Sequence, residues 1–134
     1  MKRFAIVYLS TLVILLPLDF LFLGTIGKSL FEKNVNDMIL ATPRMAPAIL
    51  FYLIYLSGIV IFVNGTASNW TSNLGYGALF GLFCYATFEL TNMTVLKHWE
   101  WVVVVADIAW GAVLTGISAS VGGALAQWIL GKVS

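Results

Sequence analysis

An all-α integral membrane bundle of four transmembrane helices, with a short amphipathic helix at the membrane surface between spans one and two, is the fold class this sequence predicts. Three observations predict it. Of 134 residues, 60% are hydrophobic and only 10% are charged, against about 25% charged in a typical soluble domain. No Asp, Glu, Lys, Arg or His occurs from Met45 to Phe88, a stretch long enough for two crossings of about 20 residues each. A chain this short also has too little interior to hide so much apolar surface from water, whereas a bilayer acts as the solvent. The whole chain, residues 1–134, reads as a single transmembrane domain.

The first span covers residues 4–26. Lys2 and Arg3 precede it, as in a signal peptide, but the apolar run exceeds the usual h-region, no A-x-A-like cleavage site follows, and Pro17 and Asp19 interrupt it. Residues 27–45 form the sizeable loop. There Phe31, Val35, Met38 and Ile39 recur at helical spacing among Glu32, Lys33, Asn36 and Asp37, the pattern of an interfacial helix, and Thr42-Pro43 is expected to end it.

The second span covers residues 46–63, with Pro47 in its first turn, where a missing N–H costs little. Asn64 to Asn73 is rich in Gly, Asn, Ser and Thr and reads as a turn; its two glycosylation-like triplets carry little weight, since the pattern is common by chance. The third span covers residues 74–95. The fourth, residues 100–121, runs on as an interfacial extension to residue 130. That stretch measures about 46 Å at 1.5 Å per residue, well over a hydrocarbon core of about 30 Å, so it must tilt, kink or emerge, with Gly122-Gly123 the expected break. Four spans place both termini on one side. The charge bias between the two sides is slight, and the weight of the first helix in the positive-inside rule puts the termini in the cytoplasm.

Lipid tails are as apolar as leucine, so helices in a membrane associate through close packing and polar contacts. Gly77 and Gly81 are four apart on span three. Gly111, Thr115, Ser118 and Gly122 share one face of span four. These stripes are expected to pack helix on helix, and the Gly77, Gly81 and Gly111 faces also offer a surface for a second copy of the chain. Membrane lipids are the implied surroundings. A net charge of +1 provides no field for nucleic acid. One cysteine, Cys84, excludes a disulfide framework or a multi-cysteine metal site, and reads as a small buried hydrophobe. The single His98 builds no His-rich site.

Asp19, Glu89 and Asp107 fall inside the spans. A carboxylate at the bilayer centre costs at least about 2.5–3.5 kcal/mol on insertion scales, so such groups face the protein interior, pair, or carry a proton. Asp19 lies seven residues before the end of span one, Glu89 six before the end of span three, and Asp107 seven after the start of span four. Each is therefore about 10 Å below the same membrane surface, the one opposite the termini. Tyr85, Glu89 and Asn92 share a helical face; Trp110 is three residues beyond Asp107. Arg44, Lys97 and His98 lie at the same surface as possible charge partners. Two readings follow. One is a buried network in which the acids bond to Asn92, Thr91, tryptophan N–H groups and Arg44. The other is a pocket for a cation, an amine or an exchangeable proton, with Asp19, Glu89 and Asp107 supplying charge and Tyr85, Asn92 and Trp110 shaping it.

Phe88-Glu89-Leu90-Thr91-Asn92, followed by Val103-Val104-Val105-Ala106-Asp107-Ile108-Ala109-Trp110-Gly111, resembles the DUF2177 family of predicted bacterial membrane proteins. Leu18-Asp19-Phe20 with Leu23-Gly24, Gly77-Ala78-Leu79-Phe80-Gly81-Leu82, and Tyr85-Ala86-Thr87 are similar to it as well, so the resemblance spans essentially the whole chain. Phe88-Glu89 stands where the family pattern has Tyr-Asp: the acid is kept, its reach grows by one methylene, and a hydroxyl is lost. The resemblance implies a four-helix protein of a bacterial inner membrane and assigns no activity.

The leading expectation is thus a small non-enzymatic membrane protein that binds a small or lipid-like ligand, or moves a cation or proton, at the carboxylate cluster. The alternatives are a membrane enzyme acting on a lipid or isoprenoid-like substrate, since paired carboxylates can serve as acid and base, or a structural or partner subunit. Against the enzyme, Ser118 and Ser120 have no histidine nearby in sequence, and no metalloprotease or kinase motif occurs. The sequence assigns neither cofactor nor metal.

Overall fold

The computed structural model describes residues 2–35, 37, 44–64 and 69–133, and among these the chain is helical with no strand. Helix α1 runs Lys2–Gly24, α2 Ile26–Val35, α3 Met45–Gly58, α4 Trp70–Val95 and α5 Trp101–Val133. A π-helical segment, Ile59–Asn64, prolongs α3. Asn69 caps α4, its side chain accepting from Ser72 N at 2.8 Å. That cap starts the helix one turn before residue 74, the start expected from hydropathy.

Contacts set the directions. Val7 and Ala126 share a cluster, Gly122 meets Thr11, and Trp110 meets Asp19, so α1 and α5 are antiparallel. On α4, Gly77 meets Thr115 and Gly116, Gly81 meets Gly111, and Glu89 meets Asp107, so α4 and α5 are antiparallel too. This is the most extensive helix pairing in the chain.

The surface is inside out relative to a water-soluble protein. Val13, Phe20, Leu21, Ile54, Phe62, Phe83 and Val105 are exposed, while Thr11, Asp19, Asn73, Glu89, Asp107, Thr115 and Ser118 are buried. An apolar exterior this extensive is not sustained in water; against lipid it is the contact surface. Among the described residues, three helices are long and apolar enough to cross a membrane: α1, α3 with its π extension, and α5. Helix α4 has the length, at 26 residues, but carries Thr71, Ser72, Asn73, Glu89 and Asn92, and is the least apolar of the long helices.

One expectation about glycine is corrected. Helix α5 passes through Gly122-Gly123 without a break. A Cβ on Gly122 would stand 2.7 Å from Thr11 Cα, and one on Gly123 would stand 2.7 Å from Asn73 Nδ2. These glycines therefore admit neighbours rather than end the helix. Gly77, Gly81 and Gly111, expected also as a surface for a second copy, are buried within the chain. The α4–α5 contact uses them.

Helix α2 has the amphipathic character the sequence predicts: Val35 is buried, Phe31 half-buried, and Glu32 and Lys33 exposed. The expected continuation through Asn36, Met38 and Ile39, its stop at Thr42-Pro43, and the first glycosylation-like triplet, with Gly65 and Thr66, lie outside the described residues. Past α2, Asp37 pairs with His98 Nε2 at 2.8 Å, tying this segment to the α4–α5 link. The His98 hydrogen bond holds the Asp37 carboxyl below its ordinary value of 3.8. A lowered folded value means the contact stabilises above that ordinary value, and the stabilisation is lost as pH falls through the lowered one. Unfolding followed from about pH 6 to about pH 2 is expected to show a small acid-side loss that Asp37→Asn lacks and that salt flattens, because both groups are exposed.

Candidate functional site

The three carboxyls sit on three different helices and meet in the interior. Asp19 is 5% exposed, Glu89 0% and Asp107 7%. Asp107 has the Glu89 side chain within hydrogen-bonding reach and lies in the field of Asp19. The α4–α5 pairing thus sets Glu89 beside Asp107, with Asp19 on α1 close enough to act on Asp107 through its field.

Two of the acids, Asp19 and Glu89, are held by neutral donors. Tyr52 on α3 donates to Asp19 Oδ2. Trp110 Nε1 donates to Asp19 Oδ1 at 3.2 Å, its ring stacked on Phe22 with centroids 4.6 Å apart. Trp99 Nε1, in the α4–α5 link, donates to Glu89 Oε1 at 2.6 Å. Glu89 Oε2 receives no hydrogen bond among the described residues. Beside the Glu89 side chain stands the Asp107 carboxyl, which is also an acceptor when ionised. Two ionised carboxylates facing each other in a water-poor interior repel and are each poorly solvated. One proton between them removes the repulsion and supplies the missing donor.

The remaining candidates divide. Tyr85 packs its ring over Gly111, where no side chain intervenes, and lies in the field of Asp19 and Asp107. Trp110 binds Asp19 directly. Asn92 is half-buried, and its recorded bond is through its backbone carbonyl, which accepts from Leu96 N at 2.9 Å. Thr91 faces outward. Of the possible charge partners, His98 is engaged by Asp37, and Arg44 and Lys97 are exposed. Among the described residues, no Lys, Arg or His forms an ion pair with any of the three acids. Nor, among them, do three or more His, Cys, Asp or Glu converge closely enough to grip a metal ion.

Sequence reading missed Tyr52, Tyr55 and Trp99. Tyr52 and Tyr55 sit in the uncharged run of span two, where nothing in the local pattern sets them apart from lipid-facing aromatics. The signal for Trp99 was its place one residue after His98 in a short link above Glu89.

Fold and site together define a helical membrane protein with three carboxyls buried in its interior. The chain belongs to the DUF2177 family, described as a predicted membrane protein, whose model matches residues 4–124. That match takes in all three acids and every helix from α1 to α4. No curated protein matches the chain, and no solved structure does.

Proposed function

We propose that this protein binds and releases a proton at Asp19, Glu89 and Asp107, as a small four-span protein of the bacterial cytoplasmic membrane. The observation that carries the reading is the set of three buried carboxyls, Asp19 and Glu89 held by neutral donors and Asp107 beside Glu89, with no cationic side chain paired to any of them among the described residues. Full ionisation would leave three negative charges in the membrane, each costing at least about 2.5–3.5 kcal/mol. Charge must be offset by something that comes and goes from the outside. A proton fits better than a metal ion, because the acids form a facing pair with a third nearby and not a converging ligand shell.

Helix α4 is the fourth span in this reading. Its 26 residues extend about 39 Å. Its buried residues, Asn73, Gly77, Gly81 and Glu89, are turned to the bundle, leaving Leu79, Leu82, Phe83 and Leu90 to lipid. Alternating helix directions then put Lys2, Arg3 and Lys132 together on the cytoplasmic side and the acids nearer the other.

Proton flux into vesicles carrying the purified protein and an internal pH dye tests the reading. Wild type is expected to dissipate an imposed pH gradient, and Asp107→Asn to do so at least about tenfold more slowly, a loss of about 1.4 kcal/mol or more in the transfer step. Equal flux in wild type, Asp107→Asn and empty vesicles would remove the proposal.

A further inference from the structure

The carboxyl cluster lies toward one end of the bundle, and buried polar groups continue from it to the other. On α5, Asp107, Gly111, Thr115, Ser118 and Gly122 repeat at intervals of four, four, three and four, so they share one helical face, and all are buried. Thr115 Oγ1 donates to Gly111 O at 2.7 Å. Its single proton is thus used, so the Tyr55 hydroxyl bonded to it is the donor. Tyr55 in turn has Tyr85 in hydrogen-bonding reach, next to the acids.

Past Thr115 four buried side-chain oxygens lack partners. Ser118 Oγ, Thr11 Oγ1, Asn64 Oδ1 and Asn73 Oδ1 are all buried with no hydrogen bond among the described residues. Four such atoms in one region are unusual, since buried polar groups nearly always find a partner in protein or water. The π-helical segment ends at Asn64, and Asn64 Nδ2 donates to Ala119 O at 3.1 Å. That bond fixes the amide with its oxygen free. Gly123 lies between the two asparagines: a Cβ there would meet Asn73 Nδ2 at 2.7 Å and Asn64 Nδ2 at 2.9 Å. Asn64, Asn73 and Gly123, with Arg3 and Gln127 beyond them, line a cavity of about 10 Å³, room for about one water molecule.

We propose that this cavity holds a water molecule donating to Asn64 Oδ1 and Asn73 Oδ1, and that it begins a proton route, carried by further waters across the unpartnered Ser118 and Thr11 hydroxyls to Thr115 and Tyr55, joining the Arg3–Gln127 face to the carboxyl cluster. This route rests on the proton-binding reading of that cluster. Chemistry favours water over a cation: apart from Arg3 the polar lining residues are neutral amides, the space is that of one water, and the one charged residue of the lining, Arg3, is itself a cation. A water or hydroxyl can relay a proton without net change, accepting one on a lone pair and releasing its own. The asparagines only orient the water. From Asp107 to Gln127 the route covers about 30 Å along α5, the thickness of the hydrocarbon core.

The test uses the full chain in phospholipid vesicles, with nitrogen-15 in asparagine. Solid-state NMR reads magnetisation transfer from water to the Asn73 side-chain amide, and infrared spectroscopy reads the protonated carboxyl band. Wild type is expected to show fast transfer at Asn73. Gly123→Ala, which fills the cavity, and Ser118→Ala, which removes a relay hydroxyl and leaves the backbone contacts alone, are each expected to slow proton flux across the bilayer, read with an internal pH dye, by at least about tenfold, and Asp107→Asn to leave transfer at Asn73 intact. Absence of transfer in wild type, or wild-type proton flux in Ser118→Ala, would overturn the route. Transfer at Asn73 without any protonated carboxyl band would instead remove the proton-binding reading, and the route with it for want of an end point.

Discussion

Gly81→Val is expected to destabilise the protein by about 3 kcal/mol, at the upper end of what overpacking a filled interior costs. The first added carbon already collides. A Cβ on Gly81 falls inside van der Waals contact with the Gly111 carbonyl oxygen and stands 2.5 Å from Thr115 Oγ1. The oxygen belongs to α5 backbone and cannot rotate away, so the two helices must separate. That separation loosens the Gly77–Gly116 approach one turn along, and the seat of Tyr85 on Gly111. Helices in lipid are held by such packing, with no hydrophobic drive between them to compensate. Unfolding by titration with a denaturing detergent reads the loss. Gly75→Ala is the control, since a Cβ at Gly75 meets nothing within 4 Å, and it is expected to change stability by less than about 0.5 kcal/mol.

Glu89 gives the second large effect, and the contrast between two substitutions carries the information. Glu89→Ala is expected to cost about 3 kcal/mol. It opens a void at a position with no exposure, leaves Trp99 Nε1 without its acceptor, and leaves Asp107 without the group it faces. Glu89→Gln is expected to cost less than about 1 kcal/mol, because the amide oxygen still accepts from Trp99 and the amide nitrogen can donate to Asp107. If the cluster were only architectural, the glutamine variant would keep every property of wild type. In the present account it keeps the fold and loses the exchangeable proton, so stability and proton flux separate. The same denaturation titration, run beside vesicle flux, distinguishes these cases.

Much of this was legible in the sequence because bilayer thickness and helical rise are fixed lengths. Asp19, Glu89 and Asp107 could be placed at one depth by counting residues from span ends, and the structure brings them into one cluster. The glycine stripes on α4 and α5 were legible for a similar reason, as only small residues permit that approach. The partner each stripe takes was not legible, because a small face suits another helix of the chain and a second copy equally well. Tyr52 reaches Asp19 across a separation of 33 residues, and no local pattern encodes such a pairing. The Asn64–Asn73–Gly123 site was hidden because the three residues read as turn and helix-break signals. There, a π-helical turn aims Asn64 inward, the Asn69 cap brings Asn73 inside α4, and Gly123 supplies clearance within an unbroken helix.

Infrared titration of the purified protein in lipid tests the central claim most directly, with Asp107→Asn as the reference. Wild type is expected to show a protonated-carboxyl stretch that persists well above the pH at which exposed carboxyls ionise, shifts in deuterium oxide, and is lost or displaced in Asp107→Asn. A wild-type spectrum holding only carboxylate bands across that range, identical to the variant's apart from one fewer carboxylate, would contradict that claim.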